Sequence, residues 1–348
     1  MDTLSSVVSM TLRTYIVKRI VIGIFILWLV ATFNFVIFNL QVGDPVRLML
    51  TTDPFMTPEV KEMLAKELGL GDPKWSIERY GKYLRNMFSF GLIPPYFGYS
   101  TWTRRLIAYD MSWRLGVTVF LLGFALVGRI ILGIPTGVFA ASKRGSKIDV
   151  TVVGSALFTW GVPIFFIQLL GIMFFGQILR SFGIQILSTT WTSPPGERNL
   201  AWWAGAYSQL ALPIITLVLA GFGSWALYTR NMLVDALTQD YVVTARAKGL
   251  SERTVLFKHG FKSILPPIAT MITLAMPGVV AGAIITETVF GIEGIGKWYV
   301  TALNESVADY GVTQAVLFVI ATLVVTCNLI ADLLYGVLDP RIRVGARR

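Results

Sequence analysis

Six stretches of this sequence are apolar for long enough to cross a lipid bilayer as helices, and a water-soluble globule has nowhere to put them. About 20 consecutive, mostly apolar residues cover the hydrocarbon core. The runs extend from Ile20 to Leu40, Leu115 to Ala141, Val150 to Leu179, Leu210 to Leu227, Pro267 to Ile285 and Val312 to Leu338. The third is longer than a straight span needs, and Gly161 and Pro163 mark the place for a bend. The fourth carries Pro213 near its start. Arg13, Lys18 and Arg19 ahead of the first run look like a leader, but that run is too long and ends in Gln41-Val42-Gly43-Asp44-Pro45 rather than in small residues. It is therefore expected to stay as a helix. The reading is an all-α polytopic membrane protein.

Composition removes the competing classes. Only 14% of the 348 residues are charged, against about 25% in soluble domains. Cys327 and His259 are the only cysteine and histidine, so disulfide frameworks, multi-cysteine metal sites and most histidine chemistry are excluded. The net charge of +10 raises the question of nucleic acid. Its location answers otherwise. With both termini in the cytoplasm, the inner segments hold sixteen basic and six acidic residues, while the outer segments hold thirteen of each. Arg129 and Asp332 lie inside spans and cancel formally. The whole excess falls on the cytoplasmic side, as the lysine/arginine bias of membrane proteins requires. No nucleic-acid partner is expected, and the lipid bilayer is the partner of most of the surface.

The chain divides into 1–41, a tail and first span; 42–114, a long extracytoplasmic segment; 115–338, a five-helix core; and 339–348, a basic tail. In the outer segment Thr57, Pro58, Glu59 and Gly69 fit the cap, first turn and end of a short helix, with Val60, Leu64 and Leu68 as its apolar stripe. Trp191, Trp202 and Trp203, in the second outer loop, fit interfacial anchors better than a sugar-stacking platform. Gly133 and Gly137, and Gly278 and Gly282, have the small-xxx-small spacing of closely packed helices.

The cytoplasmic loop at 228–265 is far longer than a connector needs. Asp240 to Arg253 reads as helix, break, helix: Ala245 and Ala247 suit the first, Gly249 the positive-φ end, and Ser251 the next cap. A small projection that fits a partner's groove is one reading, and a solvated basic loop the other.

At this loop the sequence resembles the membrane subunit of a binding-protein-dependent ABC importer, more narrowly the first permease of the dipeptide/oligopeptide/nickel family. Asp240, Tyr241, Val242, Thr244, Ala245, Arg246, Ala247, Lys248, Gly249, Leu250, Ser251 and Glu252 match the family's loop motif, with Val243 at its variable place. His259 falls on the family's histidine. Similar matches run along the chain: Gly43-Asp44-Pro45, Glu67-Leu68-Gly69-Leu70, Gly133-Ile134-Pro135-Thr136-Gly137, Glu287-Thr288-Val289-Phe290 with Gly294-Ile295-Gly296, and Leu338-Asp339-Pro340-Arg341. Val243-Thr244-Ala245 stands where the broader importer motif has Glu-Ala-Ala, and Glu293 replaces a proline of the outer glycine turn.

The resemblance implies a type I importer permease fold of six transmembrane helices. It implies a homologous second permease completing a pathway for di- or oligopeptides, two ATPase subunits below, and an extracytoplasmic binding protein above. Residues 240–251 and His259 would couple to the ATPases. ATP and magnesium would belong to those subunits, because the chain has no G-x-x-x-x-G-K-[ST] segment and needs no cofactor of its own. Oligosaccharides or another small solute are alternative cargoes. A secondary transporter is the alternative of another class, but the internal repeat common in such proteins is not evident. Arg129, near the middle of the second span, is expected to face the pathway or the second permease, or else to be satisfied by backbone. Glu287 is placed with it as a contact of that kind. Asp332 lies at a different depth from Arg129 and is expected near the terminal arginines.

Overall fold

The computed structural model describes residues 12–40, 57–59, 62, 75–93, 97–100, 102–193, 198–281, 283–304 and 308–338. These are helical almost throughout. In chain order the helices are α1 (Leu12–Leu40), α2 (Ile77–Phe88), α3 (Ile107–Ser142), α4 (Lys147–Gly161), α5 (Ile164–Ser181), α6 (Leu200–Ser208), α7 (Ala211–Leu237), α8 (Asp240–Ala247), α9 (Lys262–Ala281), α10 (Ala283–Phe290), α11 (Ile295–Asn304) and α12 (Tyr310–Leu338). Two π-helical stretches interrupt the ladder, Met173–Ile178 within α5 and Val255–Phe261 ahead of α9. A single β-bridge, Tyr99 to Leu106, closes the turn before α3 among the described residues.

Five of the described helices are long and apolar enough to span a membrane: α1, α3, α5, α7 and α12. The remaining expected span, Pro267 to Ile285, falls on α9 and α10. The Gly278/Gly282 contact depends on Gly282, outside the described residues. The third expected span divides. Val162 is extended at φ −83° and ψ 128°, and Pro163 follows it, so α4 and α5 are separate helices where one bent helix was expected. The fourth span runs on to Leu237, because Leu233 and Val234 are buried against α3 and α9.

The central packing is α3 against α7. Here the small-residue spacing has its use. A Cβ on Gly137 would come within 2.5 Å of the Ala226 carbonyl oxygen, and one on Gly133 would strike Trp225 and the Phe222 carbonyl. Neither glycine has a positive φ, so close backbone approach is the reason for it. One core cluster joins α3, α6 and α7 around Leu121, Leu210 and Leu217. A second joins α1, α2, α3, α11 and α12 around Ile107, Trp298 and Phe318. Elsewhere large apolar side chains face outward, among them Phe33, Phe158 and Trp160.

The outer segment holds a helix that the sequence reading did not name, in addition to the one it did. Pro58, Glu59 and Glu62 are helical and exposed, while Val60, Leu64, Leu68 and Gly69 lie outside the described residues. The further helix is α2, capped by the Ser76 hydroxyl accepting from the Arg79 N–H. It docks on α1 through Tyr80, whose hydroxyl is 2.6 Å from Thr32 Oγ1, and through Tyr80 and Tyr83 against Phe35. Trp202 is not a surface anchor. Trp202 is 4% exposed and meets Trp113 edge-on, while Trp203 packs on Tyr207, which stacks on Phe120 at 3.7 Å. These rings fasten α6 to α3.

Candidate functional site

The long basic loop forms a built projection. α8 starts after Gln239 and ends in a turn where Gly249 takes φ +76°. The Gly249 N–H bonds the Arg246 carbonyl at 2.9 Å, and the Leu250 N–H reaches the Ala245 carbonyl. Ser251 then caps the turn Glu252–Thr254, as the sequence leads one to expect. The projection has a core of Val242, Ala245 and Val255, closed by Leu237. Everything else on it is presented outward: Asp240, Tyr241, Thr244, Ala247, Lys248, Gly249, Leu250 and Ser251 are all exposed. No atom lies within 4 Å of a Cβ on Gly249, so the glycine is required by backbone conformation and not by crowding.

Arg246 has an internal task. Its guanidinium holds Glu252 with two bonds, at 3.0 and 3.3 Å, and so ties the end of α8 across the glycine turn to the next helix. Lys248 and Arg253 are exposed cations beside it. The Tyr241 hydroxyl bonds Ser263 Oγ at 2.9 Å, and half-buried His259 sits in the π-helical stretch. Beside the projection lies a cleft of about 490 Å³, lined by Lys143, Arg144, Leu237, Arg246, Glu252 and Arg253 among others. We refer to this side of the bundle as the basic face.

The residues singled out within the bundle separate into different roles. Arg129 extends along α7: its Nε donates to the Leu217 carbonyl at 3.0 Å, and its chain fills the space that the absent side chain of Gly221 leaves open. Arg129 is thus bonded to backbone while the residue as a whole stays half-buried. Asp332 pairs with Arg19 of α1 at 2.9 Å; the terminal arginines expected near it lie outside the described residues.

Glu287, which the sequence reading placed with Arg129, is completely buried within the chain. One carboxylate oxygen accepts from Thr118 Oγ1 at 2.6 Å and the other from the Lys297 N–H at 2.8 Å. Thr118 Oγ1 in turn accepts from the Ile295 N–H at 3.0 Å. The carboxylate occupies the N-terminus of α11, where free N–H groups and the helix dipole favour an anion. A Cβ on Gly294 would collide with that carboxylate, which explains glycine there. Beside it, Gln168 Nε2 donates to Thr286 Oγ1 at 2.7 Å, with both residues fully buried. Sequence reasoning missed Thr118, Gln168 and Thr286, since nothing local marks a threonine or glutamine inside an apolar run as a buried partner.

Comparison with known proteins gives a consistent result. The family model described as the binding-protein-dependent transport system inner membrane component matches residues 133–344. The oligopeptide transport system permease protein AppB of Bacillus subtilis is 33% identical, over 95% of this chain and 99% of its own length. The dipeptide transport system permease protein DppB of Escherichia coli K12 is 33% identical, over 94% and 98%. The oligopeptide transport system permease protein OppB of Salmonella typhimurium is 31% identical, over 94% and 99%. With apolar helices that suit several passes through a membrane and a match of this extent, the chain is a multi-pass membrane permease and belongs to the binding-protein-dependent transport system inner-membrane-component family.

Proposed function

We propose that this chain forms half of the translocation pathway of an ATP-driven importer that takes up di- or oligopeptides. A homologous second permease supplies the other half, two ATPase subunits bind ATP and magnesium on the cytoplasmic side, and an extracytoplasmic binding protein delivers the cargo. The names of the relatives support the peptide cargo. The basic face is assigned to the cytoplasm, on the charge asymmetry of the sequence.

The observation that carries the reading is the projection at Asp240–Glu252: folded around its own small core, locked by Arg246 and Glu252, and otherwise exposed. A solvated connector has no need of such locking. A rigid knob on a helical stem is what a motor needs in order to displace membrane helices, because load applied to a loose loop is absorbed before it reaches them. Leu250, Val243 and Tyr241 present apolar surface for a groove, and Lys248 a charge for its rim.

The test is Gly249→Trp in the reconstituted importer. The position has room for a ring but not the backbone freedom, so the turn must rearrange and the ring obstructs docking. Insertion is expected to be normal, and substrate-stimulated ATP hydrolysis abolished. Gly249→Ala, which pays only the left-handed strain of about 1 kcal/mol, is expected to keep part of the stimulation. Coupled uptake at the unsubstituted rate in Gly249→Trp would refute the assignment.

A further inference from the structure

A helical run starts at Glu252, next to the Gly249 turn, and passes through Val255–Phe261 into α9, which ends at Ala281; α10 follows from Ala283 to Phe290. Together they lead from the basic face to the opposite one. At its first end the run is bound to the projection by the Tyr241–Ser263 bond and by Gly260, which has no room for a Cβ against Leu233 and Leu237. At the opposite face α10 carries one ionisable side chain, Glu287, next to the Gln168–Thr286 bond.

That carboxylate is a junction. The helix that carries it, α10, meets α3 through Thr118 and the first turn of α11 through the Lys297 N–H, with Thr118 also taking the Ile295 N–H. The covalent joint between α10 and α11 is short, with Gly291 at φ +71°, and is held by the Ile292 N–H on the Glu287 carbonyl and by Lys297 Nζ on the Gly291 carbonyl, each at 2.8 Å. The carboxylate strap adds to these a side-chain tie from α10 to the first turn of α11 and to α3. Past the strap, α11 supplies Lys297, Trp298 and Thr301 to one wall of a cleft of about 240 Å³, and Ser100, Trp102 and Arg114 line it from the other elements.

We infer that Glu287 is a positioning residue of the transport cycle: it fixes α11 to α10, which follows the run that begins at the projection, so that displacement of the projection is delivered to the wall of the cleft on the opposite face. The inference rests on the coupling role proposed above. It assigns Glu287 no contact with cargo.

The experiment uses the complete importer in proteoliposomes, with Cys327→Ser and two pairs of spin labels. An inner pair at Lys262 and Ser142 reads the run against α3 at the basic face; an outer pair at Ser112 and Leu303 reads α3 against α11. In the otherwise unsubstituted chain a non-hydrolysable ATP analogue is expected to shift both distances. In Glu287→Gln and in Thr118→Val the inner shift is expected to remain and the outer shift to be lost. A purely architectural role would lower yield or alter both pairs together. Should Glu287→Gln fail to assemble, Thr118→Val, which removes one donor and leaves the carboxylate, is read alone. An outer shift that survives in the assembled variants, or is absent from the unsubstituted importer while the inner one is present, overturns the inference and leaves the coupling reading standing. A missing inner shift in the unsubstituted importer overturns the coupling reading, and this inference with it.

Discussion

Asp149 occupies the first turn of α4, on the basic side ahead of the third expected span. It takes two bonds from Arg230 of α7, at 3.0 and 2.7 Å, and a third from the Gly145 N–H at 3.0 Å. Arg230 above all, with the Gly145 N–H adding to it, outweighs the opposing effect of burial and holds the carboxyl below its ordinary value. The unfolded chain therefore binds the Asp149 proton more tightly than the folded one. Its contribution to stability is complete above the unfolded value of about 3.9 and is lost as the pH falls through the lower folded value. In detergent, Asp149→Asn is expected to cost about 1–3 kcal/mol at neutral pH, between the ranges for exposed and buried pairs. The gap in melting temperature between variant and unsubstituted protein should close below about pH 4. A gap that stays constant down to acid pH would show that the carboxylate form is not what the fold uses. The sequence places Asp149 at a helix start, but its partner is 81 residues away. Arg129 shows the same limit: its depth is legible from the run around it, whereas its Leu217 and Gly221 neighbours are not.

Elements were legible where their signal is local. The helix break at Pro163, the Gly249 turn, the Ser251 cap and the Gly133/Gly137 face all follow from residues within one or two turns of one another. α2 could have been read in the same way, since Ser76 is a cap and Tyr80, Tyr83, Leu84 and Met87 recur at helical spacing. What misled the reading of α6 was composition. Tryptophans near a span suggest an interface, yet the rings of Trp202, Trp113 and Tyr207 find one another and Phe120 instead. With Trp202 4% exposed, Trp202→Ala leaves a cavity beside Trp113 and Arg198 and is expected to cost about 3–5 kcal/mol. Because α6 is fastened to α3 by these rings, its loss should appear first as proteolytic cleavage between residues 182 and 210 while α3 and α7 remain intact. Protection of that segment equal to the unsubstituted protein's would mean that α6 is held by something other than the rings.

At the scale of the molecule the governing quantity is the distribution of charge along the chain, which decides how the bundle is threaded. The cleft beside the projection gathers Lys143, Arg144, Arg246 and Arg253 on one face, drawn from two loops separated by a hundred residues of sequence. Two loops that are basic independently and are then brought to one side by the packing of α3 on α7 are what the lysine/arginine bias produces where both loops stay on the cytoplasmic side. A threading with the basic face outside would have to translocate all of that charge. The prediction is a labelling pattern. In a Cys327→Ser chain, single cysteines at Ser146 and Ser251, near the basic face, should react with a membrane-impermeant maleimide only after the cytoplasmic side is opened. Cysteines at Leu92 and Leu200, which are 81% and 86% exposed, should react in intact cells. Reversal of the two sets would place the projection outside the cell, out of reach of any ATP-hydrolysing partner. The coupling function would then be lost, although every distance within the bundle stayed the same.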